Sequence, residues 1–123
     1  MAGAQAQQFI DALHRLEERH DLNGMVALFG DDAEVRNPTD SSAHQGVDGA
    51  RHFWDAYRRS FEEIHSEFRS VVENDGVVML EWTSRGRAAK GAPVEYDGVS
   101  VVEYRDGKVQ RFRAYFDPSA LQA

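Results

Sequence analysis

The stretch from Ser66 to Phe116, SEFRSVVENDGVVMLEWTSRGRAAKGAPVEYDGVSVVEYRDGKVQRFRAYF, decides the fold. Its β-branched residues follow a period of two, and turn signals interrupt it at Asn74-Asp75-Gly76, Gly91-Ala92-Pro93 and Asp106-Gly107. The pattern predicts a meander of four antiparallel strands, Ser66 to Asn74, Val77 to Arg87, Val94 to Arg105 and Lys108 to Phe116. Upstream the period changes. Phe9, Leu13 and Leu16, with Ile10 beside them, recur at helical spacing and predict a helix from Gln5 to Arg19. A short second helix is expected over Asn23 to Phe29, ended by Gly30, and a short strand over Ala33 to Asn37, stopped by Pro38. After the polar loop TDSSAHQG, Asp48 is placed to cap a third helix, whose aromatic face carries Phe53, Tyr57, Phe61 and Ile64, with Trp54 on the neighbouring stripe. Helices first and an antiparallel sheet after them define an α+β chain with its helices on one face of the sheet.

A length of 123 residues suits one domain spanning residues 1–123, so every functional residue should share one core. The formal charge of −7 is the wrong sign for tracking a phosphate backbone or anionic lipid, which argues against nucleic acid and membrane partners. No apolar run approaches the roughly 18 residues that span a bilayer. The start, MAGAQAQQF, has neither a basic n-region nor an apolar h-region, and zero cysteines fit a reducing compartment, so a cytoplasmic location is expected. There is no Gly-rich phosphate loop, no nucleophile elbow and no nucleotide fingerprint, so no cofactor is indicated. The five histidines, at 14, 20, 44, 52 and 65, show no metal-binding spacing, and no metal site is expected.

The run Leu28-Phe29-Gly30-Asp31-Asp32-Ala33, the strand end Asn37-Pro38, Gly46 with Gly49-Ala50-Arg51-His52-Phe53-Trp54, then Asp97-Gly98-Val99, Asp106-Gly107-Lys108 and Arg113-Ala114-Tyr115-Phe116-Asp117 resemble, in this order and spacing, the NTF2-like superfamily and its SnoaL-like branch. The resemblance covers almost the whole length. It implies an α+β cone in which three N-terminal helices pack on a strongly curved, mainly antiparallel sheet around an apolar pocket. It also implies a homodimer through the outer sheet face. The related activities are those of polyketide cyclases, ketosteroid isomerases and limonene epoxide hydrolases, so the fold alone does not select the reaction.

On the last strand Val109, Arg111, Arg113, Tyr115 and Asp117 share one parity and Phe112 and Phe116 the other. Arg113, Tyr115 and Asp117 are assigned to the pocket, and Phe112 and Phe116 to packing or an interface. The resemblance implies that Asp117 is a general base, a role that asks for a partly desolvated carboxylate, with Tyr115 and Arg113 orienting the substrate. The competing reading is that Asp117, directly before Pro118, caps a terminal helical turn. Asn37 stands where ketosteroid isomerases carry their catalytic aspartate, while Leu13 and Ser100 stand where their oxyanion donors would be, so that mechanism is disfavoured. Asn37 is still a candidate to bond a ligand carbonyl. A third reading, epoxide hydrolysis, uses Asp117, Glu81 and Arg113, with Glu81 either a pocket carboxylate or an outward residue. Trp54, Tyr57, Trp82 and Tyr96 are candidate walls for a hydrophobic ligand, whereas Phe53 and Phe61 fill the core. His44, in the polar loop, is a solvated residue or a lid contact.

The expected function is therefore a cofactor-independent cyclase, isomerase or hydratase acting on a small hydrophobic carbonyl compound. The alternative is a non-catalytic ligand-binding or dimerisation module.

Overall fold

Apolar period and turn chemistry place the elements in the order α1 (Ala4–Arg19), α2 (Leu22–Val26), β1 (Phe29–Arg36), β2 (His44–Gln45), α3 (Gly46–Arg59), β3 (Phe61–Asn74), β4 (Val77–Ala88), β5 (Pro93–Arg105) and β6 (Lys108–Phe116). A 3-10 turn, Pro118–Leu121, follows. The computed structural model describes residues 3–121. Three helices pack on a curved, open, six-stranded sheet of order β2-β1-β6-β5-β4-β3. All neighbouring strands are antiparallel except β1 and β6.

Local chemistry sets the helix ends. The Ala6 N–H at the start of α1 donates to Glu73 Oε1 at 2.8 Å, and His20 closes the helix in the left-handed region at φ 58°. Asp21 caps α2 by accepting from Gly24 N at 2.9 Å. At α3 the expected cap is corrected: the helix starts at Gly46, Gln45 is the flanking residue, and Asp48 lies inside the first turn, where its charge complements the helix dipole.

Two boundaries also differ from the sequence reading. Phe29 and Gly30 belong to β1, because Leu28 O accepts from Val109 N at 2.7 Å and draws the chain alongside β6. Phe61 and Ile64 belong to β3, and α3 ends at Arg59. Their spacing of three imitates a helix because a bulge lies between Phe61 and Glu63, so an extra residue separates two inward side chains. Gly86 faces that bulge; a Cβ there would lie 2.0 Å from Glu63 O, which only glycine avoids.

A further irregularity lies between β5 and β6, where Glu103 pairs with Arg111 but Tyr104 pairs with Val109. The slip resets parity along β6. Val109, Phe112 and Ala114 are buried beneath the helices, while Arg111 and Arg113 lie on the outer face. The core under the helices joins Phe9, Leu16, Met25, Val35, Leu80 and Val102, with the Phe9 and Phe112 rings stacked at 5.6 Å. Burying large apolar side chains of this kind contributes about 2 kcal/mol each.

Candidate functional site

The curvature leaves a cavity of about 290 Å³ between the helices and the sheet. Its walls are aromatic: Phe53, Trp54 and Tyr57 from α3, Phe61 from β3, Trp82 from β4, Tyr96 from β5, and Phe112 and Phe116 from β6. The rings hold one another edge to face, with Trp54 and Phe112 centroids 4.9 Å apart, Trp82 and Tyr96 5.4 Å, and Tyr96 and Phe116 5.3 Å. Phe53 and Phe61 thus line the cavity as well as filling the core. Trp82 is oriented by its Nε1–H donating to Ser100 Oγ at 2.9 Å. Gly98 makes room for it, since a Cβ there would lie 2.4 Å from the Trp82 ring. The buried Trp54 Nε1–H has no hydrogen-bond partner among the described residues.

Of the residues expected at the site, Asn37, Trp54, Tyr57, Trp82 and Ser100 line the cavity. Asp117, Arg113, Tyr115 and Glu81 do not, and their assignment to the pocket is corrected. Arg113 and Tyr115 lie in a groove on the opposite face of the sheet, where Arg113 Nη2 bonds Glu103 Oε2 at 2.9 Å. Asp117 is exposed and accepts from Ser119 N at 3.0 Å and Ser119 Oγ at 2.8 Å, which holds its carboxyl below the ordinary carboxylate value. Its bonds are those of a turn cap. Glu81 is exposed and accepts from Ser70 Oγ at 3.0 Å, so Asp117, Glu81 and Arg113 do not converge on one water. The helix-facing side of β6 must be apolar, and the β-bulge puts Phe112 and Phe116 on that side.

Polar groups occur in two clusters instead. At the solvent-side end, Asp40 Oδ1 lies 3.1 Å from His44 Nε2. Asp40 also accepts from Asn37 N at 3.0 Å, and Asn37 Oδ1 accepts from Thr39 N at 2.9 Å. The His44 ring packs on Phe53 at 5.8 Å and His52 at 5.3 Å. At the other end Glu17 is buried, accepting from Tyr57 Oη at 2.7 Å, Ser66 Oγ at 2.7 Å and Ser66 N at 3.0 Å. Ser66 Oγ in turn contacts Ser84 Oγ at 2.6 Å. Burial first, and then the Glu17 charge, push the Tyr57 and Tyr96 phenols well above their ordinary value.

Neither Glu17 nor Asp40 is among the expected site residues. The signal for Glu17 was its place on the Phe9, Leu13, Leu16 stripe of α1, where a charged side chain is out of keeping with its neighbours. Ligand atoms of His14, Glu17 and His65 converge within 4.8 Å, a juxtaposition of α1 and β3 that spacing along the chain does not reveal. His14 Nε2 is already bonded to Ser66 O at 2.8 Å and both Glu17 oxygens are occupied, so a metal would have to displace these bonds.

A three-helix cone with an aromatic cavity on a bent sheet is the architecture of NTF2-like proteins, and solved structures agree. An NTF2-like protein from Anabaena variabilis superposes with a TM-score of 0.84 at 18% identity, over 94% of this chain and 88% of that one. A Mycobacterium tuberculosis protein in complex with estradiol-17beta-hemisuccinate superposes with a TM-score of 0.79 at 18% identity, over 96% and 98%. TerC, co-crystallised with polyporic acid, superposes with a TM-score of 0.77 at 19% identity, over 94% and 99%. The SnoaL-like domain model matches residues 6–112, and the chain belongs to that family. No helix among the described residues is long and apolar enough to cross a membrane.

Proposed function

We propose that the chain is a cofactor-independent enzyme of the SnoaL-like cyclase, isomerase or hydratase type, acting by acid-base chemistry on a small hydrophobic carbonyl compound in the cone cavity. The observation that carries this reading is the His44–Asp40 pair at the open end of an aromatic cavity. With Nε2–H donating to Asp40, His44 Nδ1 keeps a lone pair. It would take a proton from the carbon next to the carbonyl, and the electron pair would pass to the carbonyl oxygen as an enolate. Return of the proton at another carbon gives isomerisation; attack by the enolate carbon on a second carbonyl of the same molecule breaks that C=O π bond and closes a ring, and the new alkoxide takes the proton back from His44. Asp40 holds the ring and balances the imidazolium. Two structural neighbours were crystallised with small molecules, which supports a ligand role for the cavity.

The test is a thermal-shift screen of carbonyl-bearing ring compounds, followed by turnover of any hit. A ligand at about 100 times its Kd adds roughly 2.7 kcal/mol of stability. His44→Ala should lower kcat by at least about 100-fold and leave binding nearly unchanged. Equal turnover by His44→Ala removes the dyad from the mechanism.

The second reading, a ligand-binding or dimerisation module, rests on the outer sheet face. Val72, Met79, Val99 and Tyr115 are 58%, 48%, 39% and 54% exposed there; Val72 pairs with Met79 and Val99 with Tyr115, and the two pairs are diagonal neighbours, Met79 facing Val101 and Val99 facing Glu81. A homodimer through this patch, in the cytoplasm, is part of the proposal. Sedimentation should give twice the 13.9 kDa chain mass, and Met79→Glu should return the monomer.

A further inference from the structure

The hydroxyl groups at the buried end of the cavity direct their protons one way. Glu17, 2% exposed, accepts three hydrogen bonds, and all three donors are neutral: Tyr57 Oη, Ser66 Oγ and Ser66 N. A hydroxyl has a single proton to donate. Ser66 commits its proton to Glu17, so the 2.6 Å contact with Ser84 is a bond donated by Ser84. Tyr57, Ser66 and Ser84 all line the cavity. With their protons turned toward Glu17, they offer a ligand lone pairs and no donor.

We propose that this end of the cavity is a subsite for a hydrogen-bond donor, the hydroxyl or ammonium group of a hydrophobic ring compound. A carbonyl oxygen or an enolate placed among Tyr57, Ser66 and Ser84 would meet only their lone pairs and the Glu17 charge, and belongs at the His44 end. The faces of Phe61, Trp82 and Tyr96 beside the cluster suit a positive charge as well as an apolar ring. Burial and Glu17 also keep Tyr57 in its phenol form, which preserves the direction of the relay. The inference rests on the reading of the cavity as a ligand site and adds which chemical group faces inward.

Equilibrium dialysis of the full chain at neutral pH against four probes on one ring frame tests it: naphthol, naphthylmethylamine, methoxynaphthalene and acetylnaphthalene. The two donors should bind at least about tenfold tighter than the ether. Glu17→Gln should invert the order. Its amide carbonyl keeps the Ser66 N–H, while its NH2 donates to Tyr57 and Ser66 and frees their protons for the ketone. Should that variant not fold, Tyr57→Phe removes one acceptor while Glu17 stays, and the donor preference should shrink several-fold. Wild-type binding of the ether as tight as that of the donors overturns the inference and leaves the cavity reading standing. Failure of the folded protein to bind any of the four overturns both.

Discussion

Glu17 and Asp117 carry a carboxylate at opposite ends of the chain and in opposite settings. Glu17 sits on the inner face of α1, 2% exposed, with partners on α3 and β3 that lie 40 and 49 residues away. Asp117 stands in solvent beyond β6, and both its bonds go to a residue two positions on. One carboxylate joins three elements and orients the groups at the floor of a cavity. The other closes a single turn. A carboxylate's neighbours in space, more than its neighbours in sequence, determine which chemistry it can serve.

The largest effect expected from breaking this contrast is at Glu17. Glu17→Ala would leave Tyr57 Oη, Ser66 Oγ and Ser66 N without their acceptor in a buried place, and should cost about 3 kcal/mol. Chemical denaturation of wild type and variant would show it as a lower midpoint at unchanged m-value. A loss no larger than that of Asp117→Ala would mean that water reaches Glu17 and that the contrast is wrong. A smaller effect is expected from Tyr57→Phe, which keeps Glu17 bonded to Ser66 and should cost about 1 kcal/mol.

The mixed legibility of these regions has a physical origin. The meander was readable because strands announce themselves locally, through period-two burial and glycine turns at Gly76 and Gly107, where φ is 80° and 79°. The aromatic face of α3 at Phe53, Trp54 and Tyr57 was readable by helical period. Bulges defeated both rules. One gave Phe61 and Ile64 the spacing of a helix, and another broke parity between Val109 and Phe112, turning Arg113 and Tyr115 away from the cavity. No local pattern records a bulge in advance, because it depends on the partner strand. The Glu17 cluster was half legible: its position on an apolar stripe was visible, and its partners were not.

Alkaline titration sharpens the contrast from the Glu17 side. Tyr57 and Tyr96 are raised above the ordinary value of 10.0 by burial and then by Glu17, and Tyr104 is pushed up to about 12 by burial and then by Glu73. In the unfolded chain these phenols ionise near 10, so their contribution is fully present below that pH. It is lost as pH rises through the folded values. Stability should therefore begin to fall above about pH 10, and phenolate absorbance of these three should rise together with loss of tertiary structure. Normal titration of Tyr57 and Tyr96 in the folded protein would show an open cavity floor.

The smallest effect, and the one that most directly separates the two carboxylates, is expected from Asp117→Asn. The amide oxygen of Asn accepts from Ser119 N and Ser119 Oγ as the carboxylate does, and Asn caps as well as Asp. Melting, ligand binding and turnover at neutral pH should all match wild type. The acid limb is where the two differ. The lowered Asp117 value means its contribution is present above the ordinary 3.8 and is lost as pH falls through the folded value, so wild type should lose a little stability there that Asp117→Asn does not lose. Loss of turnover with binding intact in this variant would instead make Asp117 a base. It would then have to reach the substrate from beyond β6, and the inward-facing set at the end of that strand would have to include Asp117 beside Phe116.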